Sequence, residues 1–288
     1  MEQPRHIKPT TSTRPQQVNG PLTESIVKRL WAQGGSDEYG IDAHRLNITK
    51  VESFGKAQCS KVRELDLSFN NLEQLHCLDQ IPSLQILKAH ANRLKELDDY
   101  DIPKQSNIEV LYLNGNQLGC VPRVLGTLRK LRELRLDSNK LIGAPIYDSM
   151  YSCRKLVYLN LSRNKITSVK GLESLGTLET LILASNEIET LHPTLRRLDN
   201  LQDLDLTGNR LSSVSTLRGV KRLAVLRVSD NRLSSWKEIP SIPTLTELHA
   251  RGNRLTCSPS NPDTFPGEFF LFIFHNDICY LLKIFFSI

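Results

Sequence analysis

The chain has 288 residues, with 37 Lys and Arg against 31 Asp and Glu, for a formal net charge of +6. That excess is spread out: Arg129, Lys130, Arg196, Arg197, Lys221 and Arg222 are interleaved with Asp and Glu and lack neighbouring aromatics, which weighs against a nucleic-acid partner. Six cysteines (Cys59, Cys77, Cys120, Cys153, Cys257, Cys279) show no paired spacing, which excludes a disulfide-stapled scaffold and suits a reducing compartment.

Residues 1–20, "MEQPRHIKPTTSTRPQQVNG", are polar, proline-rich and mildly basic through Arg5, Lys8 and Arg14. No core can form there, so a disordered basic tail is expected, and no secretory leader pattern is present. Residues 21–61 read as an N-terminal cap. Within it, "LTESIVKRLWAQ" predicts a helix. Thr23 is its N-cap, Glu24 suits the positive helix start, and Ile26, Val27, Leu30 and Trp31 share one face. "GIDAHRLNITKVESF" reads as a degenerate half-repeat with Leu46 and Ile48 inward. The glycines of "AQGGSDEYG" lack the lysine and helix of a phosphate loop and predict a turn.

From residue 62 to 256 the pattern Leu-x-x-Leu-x-Leu-x-x-Asn-x-Leu comes round nine times, with Asn70, Asn92, Asn116, Asn139, Asn164, Asn186, Asn209, Asn231 and Asn253 in register. Intervals of 22 to 25 residues mark a solenoid. In "LETLILASNEI", Leu181 and Leu183 point inward, while Thr180, Ile182 and Ala184 point outward on a short strand. Stacked units add strands edge to edge, so the sheet is parallel. Each asparagine sits where the chain leaves the strand. Its amide can pair buried backbone, and stacked amides would form a ladder. Ala89 and Ala250 replace an inner leucine, where looser packing is expected.

These motifs resemble the leucine-rich repeat family over about residues 62–256. The resemblance implies an α/β solenoid with a concave parallel β-sheet that binds proteins and a convex side of short helices, 3-10 turns and loops. "ITSVKGLESLGT" and "LSSVSTLRGVKR" are similar to the short 22-residue intracellular subclass, typified by a protein phosphatase 1 regulatory subunit and ciliary or centrosomal proteins. "VPRVLGTLRK" and "LHPTLRRLDN" resemble the 23-residue class, with Pro122 and Pro193 opening the return segment. "LIGAPIYDSMYSCRK" predicts a helical turn, and the acidic "KELDDYDIPKQSN" a bulging loop.

The register gives two rows on the concave sheet. The first is Glu64, Ile86, Val110, Glu133, Tyr158, Thr180, Asp203, Val225 and Glu247. The second is Asp66, Lys88, Tyr112, Arg135, Asn160, Ile182, Asp205, Arg227 and His249. Ile86, Val110, Tyr112, Tyr158 and Ile182 are apolar or aromatic where exposure is predicted, flanked by Lys88 and Arg135. Tyrosine anchors with charged edges are the composition of a binding hot spot. Asp203 and Asp205, one unit from Arg227, form a second, acidic spot for a basic peptide.

Residues 257–288 form an atypical apolar tail, and the "FFLFIFHNDICYLLKIFFSI" run has three readings. A membrane anchor has the right length, but a central Asp277 costs about 2.5–3.5 kcal/mol and Lys283 adds to it. A cap over the ninth repeat fits the apolar content. Residues 268–288 also have the composition that AT-rich noncoding DNA encodes, and codons for Gly267-Glu268-Phe269 can contain a splice-donor string.

No catalytic, metal or cofactor motif appears, and His275, Asp277 and Cys279 lack a second ligand pair. The expectation is therefore a non-enzymatic cytoplasmic scaffold, free of cofactor, metal and small-molecule ligand. It would bind a protein through Ile86, Lys88, Val110, Tyr112, Arg135, Tyr158, Ile182, Asp203, Asp205 and Arg227, with phosphatase-regulatory, cytoskeletal or ciliary roles in view. The alternatives are an RNA-particle-associated repeat protein and a membrane-tethered adaptor using the C-terminal tail.

Overall fold

Alternating apolar residues followed by a turn can sustain only short strands, and the core of the molecule is a stack of three-residue strands. The computed structural model describes residues 17–34, 39–52, 59–76, 78–98, 100–102, 106–144, 150–255, 269–275 and 278–284. Strands β1 (Pro21–Leu22), β2 (Gly40–Asp42), β3 (Lys50–Val51), β4 (Glu64–Asp66), β5 (Ile86–Lys88), β6 (Val110–Tyr112), β7 (Glu133–Arg135) and β8 (Ile142–Gly143) come first. They are followed by β9 (Tyr158–Asn160), β10 (Lys165–Ile166), β11 (Thr180–Ile182), β12 (Asp203–Asp205), β13 (Val225–Arg227), β14 (Glu247–His249), β15 (Phe269–His275) and β16 (Ile278–Ile284).

The main sheet has twelve strands in the order β16-β15-β14-β13-β12-β11-β9-β7-β6-β5-β4-β2. All neighbours pair parallel except β15 with β16. The central residue of each repeat strand (Leu65, Leu87, Leu111, Leu134, Leu159, Leu181, Leu204, Leu226, Leu248) is fully buried. Each such leucine is worth about 1.5–3 kcal/mol, so stacking neighbours supplies the core that no single unit can bury. Ala89 and Ala250 are buried with the rest. The return segments carry 3-10 turns at Leu78–Gln80, Arg123–Thr127, Leu172–Ser174, Pro193–Arg197, Ser215–Gly219 and Trp236–Glu238.

The asparagine ladder differs from the expected stack of amides. Each side chain bonds backbone, not the next asparagine. Asn186 Oδ1 accepts from Ile166 N at 3.0 Å, while its Nδ2 donates to Leu161 O at 3.1 Å and Leu183 O at 2.9 Å. The same triplet ties Asn92 to Leu72 N, Leu67 O and Ala89 O. One amide thus satisfies groups of its own repeat and the preceding one. The residue before each asparagine turns through a positive φ, from Phe69 (55°) and Ala91 (54°) to Gly208 (68°) and Gly252 (66°). Leu46 stands where the degenerate unit should have its asparagine. Its N–H and that of Ile48 donate instead to Asn70 Oδ1, at 3.1 and 2.9 Å.

Helix α1 (Glu24–Gly34) begins with Ile26 and Val27 N–H groups donating to Thr23 O. Val27 is buried, Ile26, Leu30 and Trp31 pack against the core, and Trp31 Nε1 donates to Gly40 O at 2.8 Å. Two small parallel pairs, β1 with β3 and β8 with β10, lie outside the sequence reading.

The expected acidic bulge is anchored at its middle: Asp101 is 3% exposed and accepts from Leu75 N at 2.7 Å and Asp98 N at 3.0 Å. Of residues 141–155, where a helical turn was expected, 145–149 lie outside the described residues, as does most of the basic tail, residues 1–16; the described part holds β8 and turns and no helix. In the C-terminal tail, β15 extends the sheet beside β14 and β16 folds back on β15. Among the described residues no helix is long and apolar enough to cross a membrane.

Candidate protein-interaction surface

Parallel pairing brings the sequence-predicted rows together as drawn. Ile86 stands opposite Val110, Lys88 opposite Tyr112, and Tyr112 opposite Arg135. Glu133 then meets Tyr158, and Asn160 meets Ile182. Each of these side chains is half-buried, because the strand neighbours cover its flanks and leave its tip on the open face.

Arg135 organises the middle of this face. Its guanidinium lies 4.7 Å from the Tyr112 ring centroid and 5.4 Å from that of Tyr158, and its Nε donates to Glu133 Oε1 at 3.0 Å. Cation–aromatic contacts of this exposure contribute about 0.5–1 kcal/mol each. Burial works against the Arg135 charge, but Tyr112, Glu133 and Tyr158 outweigh it and hold the guanidinium above its ordinary range. Burial also pushes both tyrosine hydroxyls up, against the pull of Arg135. Lys88 donates to Glu64 at 2.6 Å. Burial lowers its affinity for a proton, yet Glu64, Asp66 and Asp42 raise it further.

Three residues absent from the sequence reading continue the line toward the N-terminus. His90 meets Tyr112 edge-on at 6.4 Å, Phe69 meets His90 at 5.2 Å, and the Arg45 guanidinium sits 4.6 Å from the Phe69 centroid. The result is one run, Arg45–Phe69–His90–Tyr112–Arg135–Tyr158, crossing six neighbouring strands from β2 to β9. Phe69 is 47% exposed at φ 55°. That positive φ recurs at this step of every repeat, so it belongs to the solenoid's turn, and what sets Phe69 apart is an exposed aromatic ring. Other repeats place Gly115, Gly208 and Gly252 or Ala91, Ser138, Arg163, Ser185 and Asp230 at this step, so Phe69 differs from them in its aromatic ring and not in its backbone. Burial pulls the His90 imidazole below its ordinary range, and its Nδ1 is buried without a partner among the described residues. A shallow depression of about 520 Å3 lies over this end, lined by Asp42, Asp66, Phe69, Lys88, His90 and Tyr112 among others.

The acidic spot has a different character from the one expected. Asp203 is ion-paired with Arg227 across β12 and β13, and Asp205 accepts from Thr207 N at 2.9 Å. Arg227 therefore compensates Asp203, and Asp205 is tied to the local backbone. Elsewhere, ligand atoms of His76, Asp98 and Asp101 lie within 4.8 Å of one another. The Asp101 oxygens already accept two backbone N–H groups, so a structural role accounts for that cluster.

Comparison with known proteins agrees with this geometry. Sequence patterns described as leucine-rich repeats match residues 58–73, 82–141, 152–176 and 176–233, together over half of the chain. The chain belongs to the leucine-rich repeat family. Among repeat-family relatives, human oligodendrocyte-myelin glycoprotein is 35% identical over 159 residues, covering 54% of this chain and 35% of that protein. An Arabidopsis thaliana protein named as a homolog of a protein phosphatase 1 regulatory inhibitor subunit is 34% identical over 158 residues, covering 53% of this chain and 47% of that protein. The chain thus spans less than half the length of either relative. Among solved structures, a repeat protein of Leptospira interrogans superposes with a TM-score of 0.62 at 26% identity, covering 76% of this chain and 57% of that one.

Proposed function

We propose that this repeat protein is a non-catalytic scaffold that docks a protein partner on the open, concave face of its sheet. The observation that carries the reading is the unbroken aromatic–cation run from Arg45 to Tyr158. Tyrosine and arginine in a half-desolvated setting are the side chains from which binding hot spots are made. Five strand spacings at about 4.8 Å give the run a length of roughly 24 Å, enough for about seven residues of an extended segment. The solenoid holds these side chains in place before a partner arrives, so little ordering entropy is lost on docking.

Free Cys59, Cys120 and Cys153 support a reducing, cytoplasmic setting. The likeness to the phosphatase-subunit homolog makes a phosphatase the first candidate partner; cytoskeletal, ciliary and centrosomal factors come next. The test is affinity purification of the full chain from native cells, with and without Tyr112→Ala and Tyr158→Ala. A partner lost only with the double variant supports the reading, and identical partner sets refute it.

Interleaved aromatics and arginines also favour a second reading, a single-stranded RNA platform. Against it, Glu64, Asp66, Glu133 and Asp137 share the face and would repel phosphate. An RNA affinity falling steeply with salt would replace the protein reading. The membrane-tethered alternative has least support, because residues 269–275 and 278–284 run as strands.

A further inference from the structure

The aromatic run ends on β7 and β9, and the turns that lead into those two strands carry Arg129, Lys130, Arg154 and Lys155. Buried anchors grip each pair, Leu128 and Leu131 around the first and Cys153 and Leu156 around the second. All four cations are exposed. Among the described residues none of the four has a carboxylate partner; Lys130 reaches only the Asn107 amide, at 2.6 Å. Among the described residues the equivalent turns elsewhere hold fewer cations without a carboxylate partner. They carry Pro82-Ser83, Ser106-Asn107 and Gly176-Thr177, while Lys221 pairs with Asp199 and Arg222 bonds Asn200. Among the described residues, cations without a carboxylate partner are therefore densest on this rim at two adjacent repeats, the two whose strands present Arg135 and Tyr158.

We infer that this rim, Arg129, Lys130, Arg154 and Lys155, receives an acidic stretch of a protein partner as that partner leaves the concave face. The inference rests on the docking surface proposed above and names the chemistry of its occupant. Four like charges on neighbouring turns repel one another, and carboxylates laid between them relieve that repulsion. Arginine and lysine side chains reach far enough to meet Asp or Glu without ordering the backbone. A nucleic acid fits less well. A phosphate chain following the aromatic run would lie over Glu64, Asp66 and Glu133. A polypeptide need be acidic only where it crosses the rim.

The experiment titrates the full chain into a fluorescein-labelled oligoglutamate peptide at low ionic strength, read by anisotropy. Glutamate at all four rim positions is expected to weaken binding about tenfold or more, since exposed pairs are individually modest and four act together. A matched reversal at Arg196, Arg197, Lys221 and Arg222 changes net charge equally and should leave affinity within about threefold. Glutamine at the four rim positions is a gentler second variant should the reversal disturb folding. Tyr112→Ala with Tyr158→Ala should leave oligoglutamate binding intact, so failure of the rim and failure of the aromatic run are read separately. Equal losses from rim and matched reversals would overturn the inference, as would the absence of binding. Tighter binding of an oligouridylate at the rim would overturn it in favour of nucleic acid.

Discussion

Removing one amide from the asparagine ladder tests whether the repeats are held by side chain–backbone bonds. In Asn186→Ala, Ile166 N loses its acceptor and Leu161 O and Leu183 O lose a donor, all three in the buried interior. Leu161 O keeps the Asn164 amide and Leu183 O the Asn209 amide, each at 3.0 Å, so only Ile166 N is left unpaired, and the variant should lose about 2–4 kcal/mol, the lower end if water enters. Asn139 makes equivalent bonds, to Leu118 N at 3.1 Å, Leu113 O at 3.0 Å and Leu136 O at 2.9 Å, but is only part-buried. Solvent can stand in there, and Asn139→Ala should cost about 1–2 kcal/mol. Urea unfolding at constant m reads the difference. Hydrogen exchange localises it: the Ile166 amide should lose protection while Leu94, bonded to Asn116, keeps it. Equal costs for the two variants, or a loss below about 1 kcal/mol at Asn186, would refute the reasoning.

Replacing Arg135 by glutamine removes the cation that favours both phenolates, so Tyr112 and Tyr158 should titrate at still higher pH by ultraviolet absorbance. Burial, with Lys88 and Arg135 nearby, lowers His90 from its ordinary value of 6.5, and Asp66 and Asp137 only partly compensate. The unfolded chain then takes up the proton first, so stability should fall as pH drops below about 6.5 and level off under the folded pKa. Urea midpoints across that range should flatten in His90→Gln. Burial pushes the Cys153 thiol up to about 12, and its Sγ donates to Leu125 O. Iodoacetamide should therefore label exposed Cys120 in the native protein and reach Cys153 only on unfolding, as peptide mapping would show.

Strand alternation and the repeat interval made the two concave rows legible residue by residue, because a period of two leaves no choice of face once Leu65 or Leu181 is inward. The asparagine positions were equally legible, but their bonding was not. An amide can bond another amide or the backbone, and only the offset between successive turns decides. Arg45, Phe69 and His90 were missed for a related reason. They lie on the turn after the strand, where a positive φ at Arg45 and Phe69 ends the alternation and swings side chains back over the sheet. The neutralisation of Asp203 by Arg227 depends on rotamers across two strands, which spacing does not encode. Pairing of β15 against β14 was hidden because the phenylalanine-rich tail lacks the repeat pattern.

The central claim is that a partner sits on the open face of the sheet. Site-specific photocrosslinking tests it most directly, with benzoylphenylalanine at Val110 or Ile182 on that face and at Ser174 on the return side of the full chain. The account predicts that a partner captured from native cells crosslinks at Val110 and Ile182 but not at Ser174. Crosslinking confined to Ser174 would contradict it and move the binding surface to the layer of 3-10 turns.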